Sequence, residues 1–233
     1  LTTGIWWFGF AQYTFYHLPA NVYQKNPQGS WILNGVKELK KVLNQVKELR
    51  LLKRYLLAYF FFNMGVQTVM YVATIFGIEE LKLPSDNLII TILIIQLVAI
   101  GGAYAFALLS GKYGNIRALI IAVIIWIGIC VAAYFIRGEM DFYVLAAVVG
   151  SVMGGIQSLS RSTYSKLIPS TTQDHASYFS FYDVTEKVSI VLGTLAYGAI
   201  AQVTGSMRNS ILALIMFFVL GLIFLFMVKG KKS

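Results

Sequence analysis

The chain has 233 residues, of which 58% are hydrophobic and only 12% charged, and it carries a formal net charge of +9. A soluble core of this length cannot hide so much apolar surface, which excludes an ordinary globular domain. The basic surplus would suggest nucleic acid in a soluble protein, but here the basic residues sort by position relative to long apolar runs, which excludes that reading too.

In chain order the first feature is an aromatic apolar segment over 5–18 that stops at Pro19. It lacks a basic leader and a small-residue cleavage pattern, so it does not read as a signal peptide. The expectation is that 1–18 is the end of a transmembrane helix whose start is cut away. A polar connector follows over 19–54, loosened by Pro27, Gly29 and Ser30. Within it Val36, Leu39, Val42, Leu43, Val46 and Leu49 recur at helical steps, with Lys37, Lys40, Lys41, Lys47 and Glu48 on the other face. Such a helix either lies in the headgroup plane or serves as a surface linker without a specific partner.

Six runs then contain no Asp, Glu, Lys or Arg: 55–78, 87–111, 118–136, 142–160, 188–207 and 209–228. About 20 helical residues span the roughly 30 Å of a hydrocarbon core, and in lipid the backbone must satisfy its own hydrogen bonds. The fold class expected is therefore all-α: a polytopic membrane bundle of six transmembrane helices over 55–233, plus the amphipathic connector helix. Sixteen of the 19 basic residues fall on one side of these runs, and only Lys82, Arg137 and Arg208 on the other. This places both ends of the six-helix unit in the cytoplasm. All four prolines, Pro19, Pro27, Pro84 and Pro169, lie outside the runs.

Polar residues inside the runs narrow the site. Tyr59, Asn63, Gln67 and Tyr71 repeat every four residues, with Thr74 near the same face. Amides near mid-membrane avoid lipid, so the stripe either lines a solute path or makes hydrogen bonds between helices. Gln96, Tyr104 and Gln202 stand alone and read as packing residues, as does Cys130. Gly101, Gly102, Ala105, Gly150, Gly154, Gly193 and Gly198 mark places where backbones approach. His17 and His175, in the first segment and a loop, have no partner suited to a metal site.

The densest polar constellation spans the end of the fourth run and the approach to the fifth. It contains Gly154-Gly155-Ile156-Gln157-Ser158-Leu159-Ser160-Arg161-Ser162 and Tyr178-Phe179-Ser180-Phe181-Tyr182-Asp183-Val184-Thr185-Glu186-Lys187. Gln157 and Arg161 lie one turn apart on one helix, and Asp183 and Lys187 one turn apart on the next. Gln157 joins Asn63, Gln67 and Tyr71 as a substrate-lining candidate. Arg161, Asp183, Glu186 and Lys187 are candidates for a cytoplasmic gate in which Arg161 reaches Asp183 or Glu186; the plainer alternative is a solvated loop with weak surface pairs.

These motifs, with Leu167-Ile168-Pro169 between them, resemble the vacuole-effluxer (autophagy-related) branch of the major facilitator superfamily. The resemblance implies a twelve-helix transporter working by alternating access, with 55–228 as its last six helices and a preceding six-helix half as partner. It also implies a small solute, amino acids among the options, since eukaryotic members are linked to export of amino acids from vacuoles. One departure stands out. The loop Ser110-Gly111-Lys112-Tyr113-Gly114-Asn115-Ile116-Arg117 has Gly111 where such transporters often carry an acid, which shifts gating toward Arg161, Asp183 and Glu186.

The runs contain no Asp, Glu, His, Lys or Arg, so neither an intramembrane nucleophile with its base nor a metal-ligand set is in evidence, and no enzyme activity, catalytic residue, metal or cofactor is expected. Two readings of function remain. One is half of a secondary transporter in a lipid bilayer, with a bacterial inner membrane as the expected location. The other is a membrane-embedded scaffold without transport, whose working part is the amphipathic helix.

Overall fold

The computed structural model describes residues 1–18, 30–170, 172 and 174–229. Pro19, Lys25, Pro27, Gly29, Lys231, Lys232 and Ser233 lie outside them, so the expected loosening of the connector is not described. The chain divides into two compact units, residues 1–38 and residues 39 onward. The first holds α1 (Thr2–His17), nearly all of whose residues are exposed, and the start of α2 (Trp31–Glu48).

The second unit begins with the rest of α2 and continues through α3 (Arg50–Glu79), α4 (Ser85–Tyr113), α5 (Asn115–Phe135), α6 (Glu139–Leu167), α7 (His175–Thr204) and α8 (Met207–Lys229). The described residues are all-helical with short connections, and α3 to α8 are each long and apolar enough to cross a bilayer. The protein is a polytopic integral membrane protein.

Helix ends follow local chemistry. Gly114 adopts φ 84°, a conformation costly for a side chain with a Cβ, and its N–H returns to Ser110 O at 2.8 Å to close α4. Gly205 closes α7 in the same way, with φ 61° and its N–H on Ala201 O at 2.9 Å. The charge-free run 188–207 passes straight through this turn. The helix itself is 175–204, because charged residues outside hydrocarbon do not end a helix whereas a left-handed glycine does. His175, expected in a loop, is the first residue of α7, behind Asp174 at the N-cap position.

Glycine sets the closest approaches. A Cβ on Gly102 of α4 would strike the Ser151 carbonyl of α6, and one on Gly150 or Gly154 of α6 would stand 2.6 Å from the Ile95 or Ala99 carbonyl of α4. These two helices therefore meet backbone to backbone. Gly193 of α7 fits against Met64 and Thr68 of α3, while Gly65 of α3 receives the ring of Phe218 from α8. Gly101 and Gly198, expected at contacts, have nothing within 4 Å of an added Cβ.

The core centres on α3, α5 and α8, where Trp126 and Phe218 stack with centroids 5.9 Å apart and Leu214, Phe62 and Cys130 are buried. In contrast, α4 and α7 leave most of their spans exposed: only 11% and 17% of the window is buried, against 56% for α3. Gln96, Tyr104 and Gln202 lie on these exposed surfaces, so they do not pack within this chain as expected.

The connector helix packs part of its apolar stripe against the chain itself. Val42 and Val46 are buried in the chain's own core, and Lys41 pairs with Asp174 at 2.9 Å. Its apolar stripe is thus spent on the protein over these turns, and Leu43 at the side remains exposed.

At the end of the bundle away from Arg161, a single side chain fastens three helices. Arg208 of α8 donates from Nε to Glu80 Oε2 at 3.2 Å, and from Nη1 to the carbonyls of Tyr134 and Ile136 at 2.7 and 2.6 Å. It neutralises a partly buried acid and occupies carbonyls that the end of α5 leaves unpaired.

Candidate functional site

The polar stripe of α3 meets α6 and α7 around a cavity of about 240 Å³. Its walls include Tyr59, Asn63 and Gln67 from α3, Gln157 and Arg161 from α6, and Tyr182 and Glu186 from α7. Helical spacing explains the first wall: four-residue steps drift slowly around α3, so three successive polar residues share one face. The fourth, Tyr71, is 59% exposed and does not line this cavity.

A chain of hydrogen bonds orders the amides. Gln67 Nε2 donates to Asn63 Oδ1 at 3.5 Å, Asn63 Nδ2 donates to Ser189 Oγ at 2.6 Å, and Ser189 Oγ donates to the Glu186 carbonyl at 2.7 Å. Asn63 is buried, so this pairing meets the requirement that a buried amide find partners. The interhelical bond and the cavity lining are therefore both present in one residue.

The charged candidates divide into two pairs. Arg161 Nη2 donates to Asp183 Oδ1 at 3.0 Å, with side-chain exposures of 58% and 50%. At that exposure the pair alone is worth less than about 1 kcal/mol. Its guanidinium carbon also lies 5.7 Å from the Phe179 ring centroid and 5.9 Å from that of Tyr182. Lys187, one turn from Asp183, instead meets Glu186 Oε1 at 3.3 Å, and Glu186 Oε2 accepts the Tyr59 hydroxyl at 3.2 Å. Of Arg161's two expected acids, Asp183 is the one it pairs with.

Around these charges lies a layer of tyrosines. Tyr59 and Tyr182 stack with centroids 4.3 Å apart, and Tyr164 and Tyr182 lie 4.8 Å apart. Tyr55 donates to the Ser160 carbonyl at 2.6 Å and Tyr164 to the Tyr178 carbonyl at 2.7 Å. Tyr55, Tyr59, Tyr164, Tyr178 and Tyr182 are all buried. Buried aromatic contacts contribute more than an exposed ion pair, so these rings, rather than Arg161 and Asp183, hold α3, α6 and α7 together at this end.

Sequence reasoning missed Ser189, Tyr182 and Tyr164 as site residues. Tyr182 stood in the motif but carried no charge, and Ser189 looked like one more small residue in an apolar run. It also missed Asn115. Beside the Gly111 departure, Asn115 Oδ1 accepts from Ser110 Oγ at 2.7 Å and from Lys166 Nζ at 3.1 Å, and its Nδ2 donates to Thr163 Oγ1 at 3.2 Å. The loop lacking the expected acid is thus fastened to α6 by an amide.

Comparison with known proteins agrees with this architecture. A family model described as "Vacuole effluxer Atg22 like" matches residues 1–233. The "Uncharacterized MFS-type transporter YxiO" of Bacillus subtilis is 32% identical over 99% of this chain and 53% of the relative. Autophagy-related protein 22 of Yarrowia lipolytica is 28% identical over 88% of the chain and 36% of the relative. That of Kluyveromyces lactis is 26% identical over 95% and 49%. The chain spans about half the length of the curated relatives it matches, or less.

Proposed function

The chain belongs to the vacuole effluxer Atg22-like family, and on that footing we propose that it forms half of a secondary transporter that moves a small solute across a membrane by alternating access. The observation that carries this reading is the cavity between α3, α6 and α7. It offers amide donors and acceptors from Asn63, Gln67 and Gln157 at the depth of membrane-spanning helices, where a polar lining is costly unless something polar uses it. This half alone contributes a cavity of about 240 Å³.

Amino acids are the solute class to test first. The three amides of the cavity wall, Asn63, Gln67 and Gln157, suit the polar groups of such a solute. In this reading Arg161, Asp183, Glu186 and Lys187, with the tyrosine layer, close the cytoplasmic end, and Tyr71 faces the preceding six-helix half. The basic bias supports a membrane orientation with both ends of the unit cytoplasmic. The bacterial relative favours a bacterial inner membrane over a vacuolar one. The scaffold alternative loses support because Val42 and Val46, on the face it would use, are buried in the chain's own core.

Uptake by the full-length protein in proteoliposomes, screened over amino acids and other small polar solutes, tests the proposal. Uptake of a solute that Asn63→Leu and Gln67→Leu both reduce supports it, and an inert protein across the panel counts against it.

A further inference from the structure

Away from the polar cavity, α5 and α6 leave a second, open groove of about 650 Å³ between them, toward the end of the bundle opposite Arg161. On α5 its lining residues Ile125, Gly128, Ile129 and Ala132 recur at three- and four-residue steps, so they share one face. That face is shallow. Gly128 has nothing within 4 Å of an added Cβ, and Ala132 contributes only a methyl group. Phe135 of α5 and Val144 and Val148 of α6 stand exposed along the sides, while Ile129 is buried in the floor. From Ile125 to Ile136 the groove runs about 16 Å at the rise of a helix. This is half of a roughly 30 Å hydrocarbon core, the depth of one leaflet.

One charged side chain lines this otherwise apolar groove: Asp141, at the end where α5 turns into α6. Its Oδ2 accepts the Arg137 N–H at 3.4 Å, and nearby Glu139 Oε1 accepts the Tyr143 hydroxyl at 2.8 Å. The turn thus presents two carboxylates and one guanidinium, all on exposed residues. We propose that the groove holds one acyl chain of a bilayer phospholipid whose head group ends in a primary ammonium. The chain lies over Gly128 and Ala132 between Phe135 and Val144, the ammonium donates to Asp141 and Glu139, and the phosphate meets Arg137.

The apolar walls fix the place of the chain and the charged turn fixes the kind of lipid. Lipid tails are as apolar as the side chains they touch, so the walls gain packing but do not choose among head groups. The turn does choose. A primary ammonium brings three N–H donors to carboxylate oxygens, in charge-assisted bonds. A quaternary ammonium brings the charge without a donor. A glycerol head group brings only the negative phosphate to a turn that already has one carboxylate in excess. The opposite end of the bundle, where basic residues prevail, favours anionic lipids instead. The site depends on neither a solute nor the transport reading.

The test uses the full-length protein in phosphatidylcholine nanodiscs carrying a trace of a phospholipid with a diazirine in its acyl tail. The probe is phosphatidylethanolamine, phosphatidylglycerol or phosphatidylcholine in turn. After irradiation, crosslinks are mapped by mass spectrometry to the groove and, as a reference, to the exposed α8 residues Met216 and Ile223. Groove peptides should take the phosphatidylethanolamine probe about three- to fivefold more than the other two, the range one exposed ion pair supplies, with no such preference on α8. Gly128→Leu, which enters open space and fills the floor, should lower crosslinking in the groove roughly threefold. Glu139→Gln with Asp141→Asn should keep the tail crosslinks and abolish the head-group preference, and it decides the matter if Gly128→Leu does not fold. Equal crosslinking by the three probes overturns the proposal. So does a preference that survives the double variant, or a groove that no probe reaches, which would mean that protein covers it.

Discussion

Asn63 shows how one side chain can serve both structure and path. Its amide fastens α3 to α7 through Ser189 and also lines the cavity. Replacement by Leu keeps volume and removes the polar group, leaving Ser189 Oγ still donating to the Glu186 carbonyl. Folding should survive with a loss near the roughly 0.6 kcal/mol average of interhelical hydrogen bonds in membranes, measured by thermal unfolding of the full-length protein, while uptake falls about tenfold. Arg161 makes the contrasting case. Because its pair with Asp183 is half exposed, Arg161→Gln should change stability by less than about 1 kcal/mol. If the pair gates, cysteine accessibility in the cavity rises in that variant, and combining Arg161→Asp with Asp183→Arg restores part of the lost transport. Unchanged accessibility and normal uptake in Arg161→Gln would mean that the charges only solvate helix ends. The stripe and the charges were legible because polar residues in an apolar run are few. The partners were not: 14 tyrosines offer too many choices for sequence to single out Tyr59 for Glu186 and Tyr182 for the stack.

At the scale of elements, six helices were legible from six charge-free runs, while their ends were not. Helices α6 and α7 extend past the charge-free runs, to Leu167 and from His175, since charged residues are compatible with a helix. The spacing of glycines predicted close packing correctly for Gly102, Gly150, Gly154 and Gly193 and incorrectly for Gly101 and Gly198. Adjacent positions on a helix point about 100° apart, so of two neighbouring glycines only one faces the partner. This gives a paired prediction. Gly102→Ala forces a Cβ into the Ser151 carbonyl and should cost about 1–3 kcal/mol. Gly101→Ala meets open space and should stay within about 0.5 kcal/mol of the parent. Thermal unfolding of the two variants side by side separates them, and equal effects would mean that α4 and α6 do not meet backbone to backbone. The amphipathic helix α2 was legible as a helix. Its location was not, because a stripe of apolar residues fits a protein groove as well as a lipid surface, and Val42 and Val46 take the former.

For the molecule as a whole, one end carries the tyrosine layer and the charges of α6 and α7, and the other is fastened by Arg208 across α3, α5 and α8. Orientation is tested with single cysteines: Asn34→Cys and Asn115→Cys should be labelled only from the cytoplasmic side and Ser85→Cys only from outside, and labelling of Asn115→Cys from outside would break the six-span topology. The proposed role of the cavity between α3, α6 and α7 as a solute path is tested most directly by measuring uptake by the full-length protein in proteoliposomes with and without Asn63→Leu and Gln67→Leu. Uptake of a small polar solute by the parent, reduced about tenfold in each variant, is the predicted result; variants that carry the solute at the parent rate would contradict it.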